Sequence, residues 1–80
     1  MARSAGEVER WLKALVGDLL GVSADKIDVH APFDRYGLDS ATAISVTVEL
    51  EEFLGQDLEA TLLYEYPTIA ELAHHLGSVE

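Results

Sequence analysis

The residues best suited to chemistry in this 80-residue chain are the run Gly37-Leu38-Asp39-Ser40-Ala41 and the histidines His30, His74 and His75. Ser40 is no hydrolase nucleophile: its neighbours do not form the G-x-S-x-G elbow, and so short a chain cannot enclose a catalytic triad with its oxyanion hole. Its setting suits a different task. The hydroxyl stands at the first turn of a helix, directly after a bend that Gly37 permits, where free backbone N–H groups and the positive dipole end favour an attached anion. A serine so placed can carry a phosphodiester; equally, Asp39 or Ser40 can serve there as a plain N-cap. His74 and His75 are adjacent and so diverge on a helix, and no histidine shares a metal-ligand spacing with another histidine or an acid, so all three read as surface groups. The carboxylates follow no D-x-D-x-D-G order, which excludes a calcium loop. Without cysteine the chain itself has no thiolate, no disulfide and no thiolate-bound zinc.

Helices must position these residues. Val8, Trp11, Leu12, Leu15, Val16, Leu19 and Leu20 recur at helical spacing and predict an amphipathic helix from about Ser4 to Leu20, with Gly21 as a left-handed stop. Gly21 to Asp39 is a long connection pinned by Val22, Ile27, Val29, Phe33, Tyr36 and Leu38, with Ser23 placed to cap a short turn through Ile27. Ala41 to Leu54 is ambiguous, because Ile44, Val46, Val48 and Leu50 alternate as in a strand. About fourteen residues free of Gly and Pro favour a helix, with Asp39 as its N-cap. On that helix Ala43, Val46, Thr47, Leu50, Phe53 and Leu54 share one arc, and Ala41, Ile44, Ser45, Val48 and Glu52 another. A turn or two fits between Leu58 and Tyr66 before Pro67. Thr68 and Glu71 then form a capping box. The last helix carries Ile69, Leu72, Ala73 and Leu76 on one face and Gly77 at its end. The expected fold is all-α: a small four-helix bundle of three main helices and one short one, over a single domain 1–80 with its core at about 5–77.

The formal charge is −10, and it is unevenly spread. All five basic residues (Arg3, Arg10, Lys13, Lys26 and Arg35) lie in the first forty positions, while positions 41–80 hold eight acids and no Lys or Arg. Such a surface repels nucleic acid and anionic lipid and favours a protein with a basic face. No apolar run approaches the ~18 residues of a membrane span, and Met1–Glu7 has no signal-peptide pattern, so a soluble, cytoplasmic and monomeric domain is expected.

Tyr36-Gly37-Leu38-Asp39-Ser40, with Leu62-Leu63-Tyr64-Glu65-Tyr66-Pro67-Thr68-Ile69 and Ala70-Glu71-Leu72-Ala73-His74-His75-Leu76, resembles the acyl carrier protein domains of modular polyketide synthases. The resemblance spans nearly the whole chain. It implies a non-catalytic domain whose Ser40 hydroxyl is esterified by a 4′-phosphopantetheine arm from coenzyme A, the arm's thiol then carrying acyl groups as thioesters. The cofactor would thus supply the sulfur that the chain lacks. By the same resemblance Asp39 caps the helix and contacts the phosphopantetheinyl transferase, Gly37 permits the close turn, and Leu38 anchors the loop end. The helix after Ser40 is then the docking surface for ketosynthase, acyltransferase and other synthase domains, through Ala41, Ile44, Ser45 and Val48, with Glu51 and Glu52 steering basic partners.

Two features depart from the family's usual form. Ala41 stands where a large apolar residue is common, and Ser45-Val46-Thr47-Val48 is rich in β-branched residues, which lowers helix preference. A peptidyl carrier, a fatty-acid carrier and an acidic helical interaction module without a prosthetic group are the alternatives. Leu38 favours the polyketide type, since peptidyl carriers more often have a second glycine there.

Overall fold

The computed structural model describes residues 3–37, 40–59 and 61–77, with Ser40 described by its helical backbone. Ser4 starts the first helix, its Oγ accepting the Glu7 N–H at 3.2 Å, a cap that contributes about 1 kcal/mol. Helix α1 then runs Ala5–Leu20. Val8, Leu12 and Val16 share one face and are fully buried, each stabilising by about 1.5–3 kcal/mol. Gly21 ends the helix at φ 72°, a left-handed conformation that costs glycine little.

Beyond Gly21 the chain folds back, the Val22 N–H donating to the Gly17 carbonyl at 2.9 Å. That reversal corrects the expected core. Leu19, Leu20 and Val22 are 46%, 37% and 42% exposed, because the returning chain packs its Ala24 backbone against Gly17, which is the buried residue of α1's last turn. Ser23 caps the single 3₁₀ turn Ala24–Lys26 by accepting the Asp25 N–H at 3.3 Å. A second 3₁₀ turn, Phe33–Tyr36, follows Pro32; three or four residues are too few for apolar periodicity to reveal. Ile27, Ala31 and Phe33 are buried, while Val29 and Tyr36 pack partly buried against the same core.

Helix α2, Ser40–Leu54, resolves the strand-or-helix ambiguity in favour of length over alternation. Ala43, Val46, Thr47 and Leu50 are buried, and Phe53 and Leu54 are half-buried. Thr47 is tolerated inside because its hydroxyl donates to the Ala43 carbonyl at 2.9 Å, and among the described residues no buried side-chain polar atom is left without a partner. Helix α3 is one turn, Leu62–Glu65, with Leu62 and Leu63 turned inward. Helix α4, Ile69–Leu76, begins at Thr68, whose Oγ accepts the Glu71 N–H at 3.1 Å. It buries Ile69, Leu72 and Ala73 and packs along α1.

Gly77 ends α4 in an extended conformation, φ −78° and ψ 153°, so its role is not the left-handed stop that Gly21 provides. A Cβ at Gly77 would land on the backbone of Ala5. The end of α4 therefore lies directly against the start of α1. The Trp11 and Phe53 rings stack at 4.5 Å, and the Arg3 guanidinium lies 4.4 Å from the Phe53 centroid. These contacts set α1's first half beside the C-terminal end of α2. Ser40, at the other end of α2, lies about 20 Å along the helix axis from that clamp. No helix among the described residues is long and apolar enough to cross a membrane.

Candidate functional site at the start of α2

Ser40 opens a fifteen-residue helix whose first turn, Ser40-Ala41-Thr42-Ala43, contains no acidic side chain. Unpaired N–H groups and the positive end of the macrodipole are concentrated there. The side chains of this turn carry no charge, whereas positions 44–80 hold eight acids. Leu38 and Asp39, expected as loop anchor and cap, lie outside the described residues.

The approach to this point is built from backbone hydrogen bonds to the distant α3–α4 junction. The Phe33 N–H donates to the Pro67 carbonyl at 2.8 Å, and the Ala70 N–H donates to the Val29 carbonyl at 2.9 Å. Pro32 and Thr68 form an isolated antiparallel bridge between these contacts. Asp28 is held as well. Its Oδ1 accepts the His30 N–H at 2.9 Å, its own N–H donates to the Tyr36 hydroxyl at 2.8 Å, and that hydroxyl donates to its carbonyl at 2.5 Å. Gly37 closes the second 3₁₀ turn at φ 75°, its N–H donating to Asp34 O at 3.0 Å. A Cβ there would touch nothing within 4 Å, so glycine is required by the backbone conformation and not by space.

Along α2, Ala41, Ile44, Ser45, Val48 and Glu52 are all exposed. Ile44 at 52% and Val48 at 47% are large apolar residues left open to solvent. Glu51 differs from its neighbour: it is half-buried and its Oε2 accepts the Leu58 N–H at 2.8 Å, so it braces the segment after α2. Tyr64 is 66% exposed and stands at the mouth of a crevice of about 210 Å³ lined by Pro32, Phe33, Asp34, Ala43, Leu63 and Pro67. Ala43 lies one helical turn from Ser40, so the crevice opens beside the start of α2.

His30, His74 and His75 are exposed, and no group of three metal-ligating side chains occurs among the described residues. His75 has a packing partner that its sequence position did not announce, Tyr66, stacked at 4.1 Å. The Tyr36–Asp28 hydrogen bonds were also missed. A tyrosine in an aperiodic loop carries no periodic signal; its hydroxyl, where a plain apolar anchor would suffice, was the available hint.

A helical bundle with a serine as the first residue of a main helix, beside an open apolar face of that helix, is the architecture of a carrier domain. Residues 10–76 match the family model "Phosphopantetheine attachment site". The chain is 40% identical over 77 residues to polyketide synthase PksM of Bacillus subtilis, covering 96% of this chain and 2% of that protein. A free-standing peptidyl carrier protein from Acinetobacter baumannii superposes with a TM-score of 0.85 at 38% identity, covering 91% of each chain. Asl1650, an acyl carrier protein from Anabaena sp. PCC 7120 with a variant phosphopantetheinylation-site sequence, superposes at 0.88 and 39% identity, covering 92% of this chain and 84% of that one. The chain belongs to the phosphopantetheine-attachment family: it is a non-catalytic carrier domain of the type used by polyketide and nonribosomal peptide synthases. The expected four-helix fold and the expected prosthetic group are both those of this family.

Proposed function

We propose that Ser40 bears the phosphopantetheine arm and that the domain carries acyl intermediates of the polyketide type. The observation that carries this reading is the placement of Ser40 at the acid-free first turn of α2, inside the matched span. In loading, the Ser40 oxygen bonds to the phosphorus of coenzyme A's pantetheine phosphate, the bond from that phosphorus to the adenosine 3′,5′-bisphosphate leaving group breaks, and the serine proton is released. The arm, once attached, supplies a thiol for thioester formation. The chain's own residues hold the loop, present the serine and meet partners.

Ala41, Ile44, Ser45 and Val48 form the docking face in this reading, with Glu52 at its rim. Glu51 adds charge while bracing Leu58. Partners are a phosphopantetheinyl transferase and synthase domains, ketosynthase and acyltransferase among them, that present an apolar recess edged by basic residues. The cytoplasm, where coenzyme A is available, is the corresponding setting. Likeness to PksM and Leu38 between Gly37 and Asp39 support the polyketide type. Likeness to the Acinetobacter peptidyl carrier favours a second reading, an aminoacyl or peptidyl cargo.

Intact mass, measured before and after incubation with coenzyme A, magnesium and a broad-specificity phosphopantetheinyl transferase, tests the site. A gain of one phosphopantetheine by the wild type and none by Ser40→Ala is expected. A folded wild type that gains nothing overturns the assignment. Loading by a malonyl-specific acyltransferase, against loading by an amino-acid-activating domain, then separates the two cargo classes.

A further inference from the structure

We infer that the Tyr36 hydroxyl is a positioning group for loading of Ser40: it holds the 3₁₀ turn and Gly37 in the arrangement that the transferase meets. This role rests on the loading reaction proposed above. Tyr36 is the last residue of the turn Phe33–Tyr36, and Gly37 is its left-handed cap. Its hydroxyl accepts the Asp28 N–H at 2.8 Å and donates to the Asp28 carbonyl at 2.5 Å, so one side-chain oxygen satisfies both backbone groups of a residue eight positions away.

The anchor point is itself fastened. Ile27 is buried in the core, the Asp28 carboxylate accepts the His30 N–H at 2.9 Å, and the Val29 carbonyl accepts the Ala70 N–H from α4 at 2.9 Å. Tyr36 thus hangs the end of the turn from a segment tied to α4. Its ring packs partly buried against the core, which a phenylalanine does as well. What the hydroxyl adds is direction: it restrains Gly37, three residues before Ser40.

Without the hydroxyl the chain stays folded and the turn samples arrangements that the transferase cannot use. When only a fraction of a substrate is in the competent arrangement, its apparent dissociation constant rises by the inverse of that fraction while the bound complex reacts as before. Tyr36→Phe therefore raises the transferase's KM for the carrier domain about fivefold or more and leaves kcat unchanged. The Gly37 amide, which donates to Asp34 O at 3.0 Å, exchanges its proton faster in the variant.

Steady-state loading of wild type, Tyr36→Phe and Ser4→Ala, at a temperature where all three are folded, tests the role. Ser4→Ala loosens the distant start of α1 and controls for lost stability. A raised KM with unchanged kcat and faster Gly37 exchange in Tyr36→Phe, with both at wild-type values in Ser4→Ala, is the expected result. If Tyr36→Phe loads with the wild-type KM, or Ser4→Ala shifts KM equally, the positioning role is overturned and the loading site stands. If the wild type accepts no arm, the site assignment falls first and this role with it.

Discussion

The indole of Trp11 and the phenyl ring of Phe53 lie nearly parallel, 11° apart with centroids at 4.5 Å, joining α1 to the end of α2 farthest from Ser40. The stiff clamp and the proposed loading point, Ser40, therefore sit at opposite ends of one helix. Loading at Ser40, as proposed, does not have to disturb the contacts that hold the bundle closed. A double-mutant cycle of Trp11→Ala and Phe53→Ala, read by urea unfolding, should give a coupling of about 0.5–1.5 kcal/mol.

Gly77→Ala places a methyl group on the Ala5 backbone. Neither backbone can yield without parting α4 from α1, so overpacking should cost about 1–3 kcal/mol. Denaturant midpoints of the two proteins check it. An unchanged midpoint would show that the two helix ends are not in contact in solution.

Gly37→Ala acts without any clash, since nothing lies within 4 Å of the added methyl group. Its cost is conformational: φ of 75° is a left-handed value that disfavours alanine by about 1–2 kcal/mol. Unfolding should report that loss. A loss well below it would mean that the turn relaxes to another conformation, which slower transferase loading would then register.

Ile44→Asp and Val48→Asp remove exposed apolar groups without opening the core. Stability should hold within about 0.5 kcal/mol, while affinity for a synthase partner should fall by about tenfold if these residues anchor docking. Calorimetric titration against a ketosynthase checks it. Equal affinities for wild type and both variants would remove this face from the docking surface.

Much of this domain was legible from residue spacing. The 3.6-residue recurrence of Val8, Leu12 and Val16, the Thr68 cap and the Pro67 stop all act within a turn or two of chain, so their consequences follow from local chemistry. The two arcs of α2 were legible for the same reason: once the segment is a helix, periodicity alone separates Val46 and Leu50 from Ile44 and Val48. Leu19 and Leu20 were misjudged because periodicity shows which residues share a face and not which of them another segment comes to cover.

The site divides in the same way. Glycine before the serine, the helix start at Ser40 and the acid-rich second half are properties of order and composition, and the sequence by itself determined them. Only the tertiary structure decided that Tyr36 hooks onto Asp28, that Phe33 bonds to Pro67, that Glu51 braces Leu58 and that Gly77 abuts Ala5. Each of these joins residues that no helical or strand period relates, and each depends on how separate elements pack. Local rules determine what a segment becomes, whereas hydrogen bonds and close approaches between segments exist only once burial has brought them together.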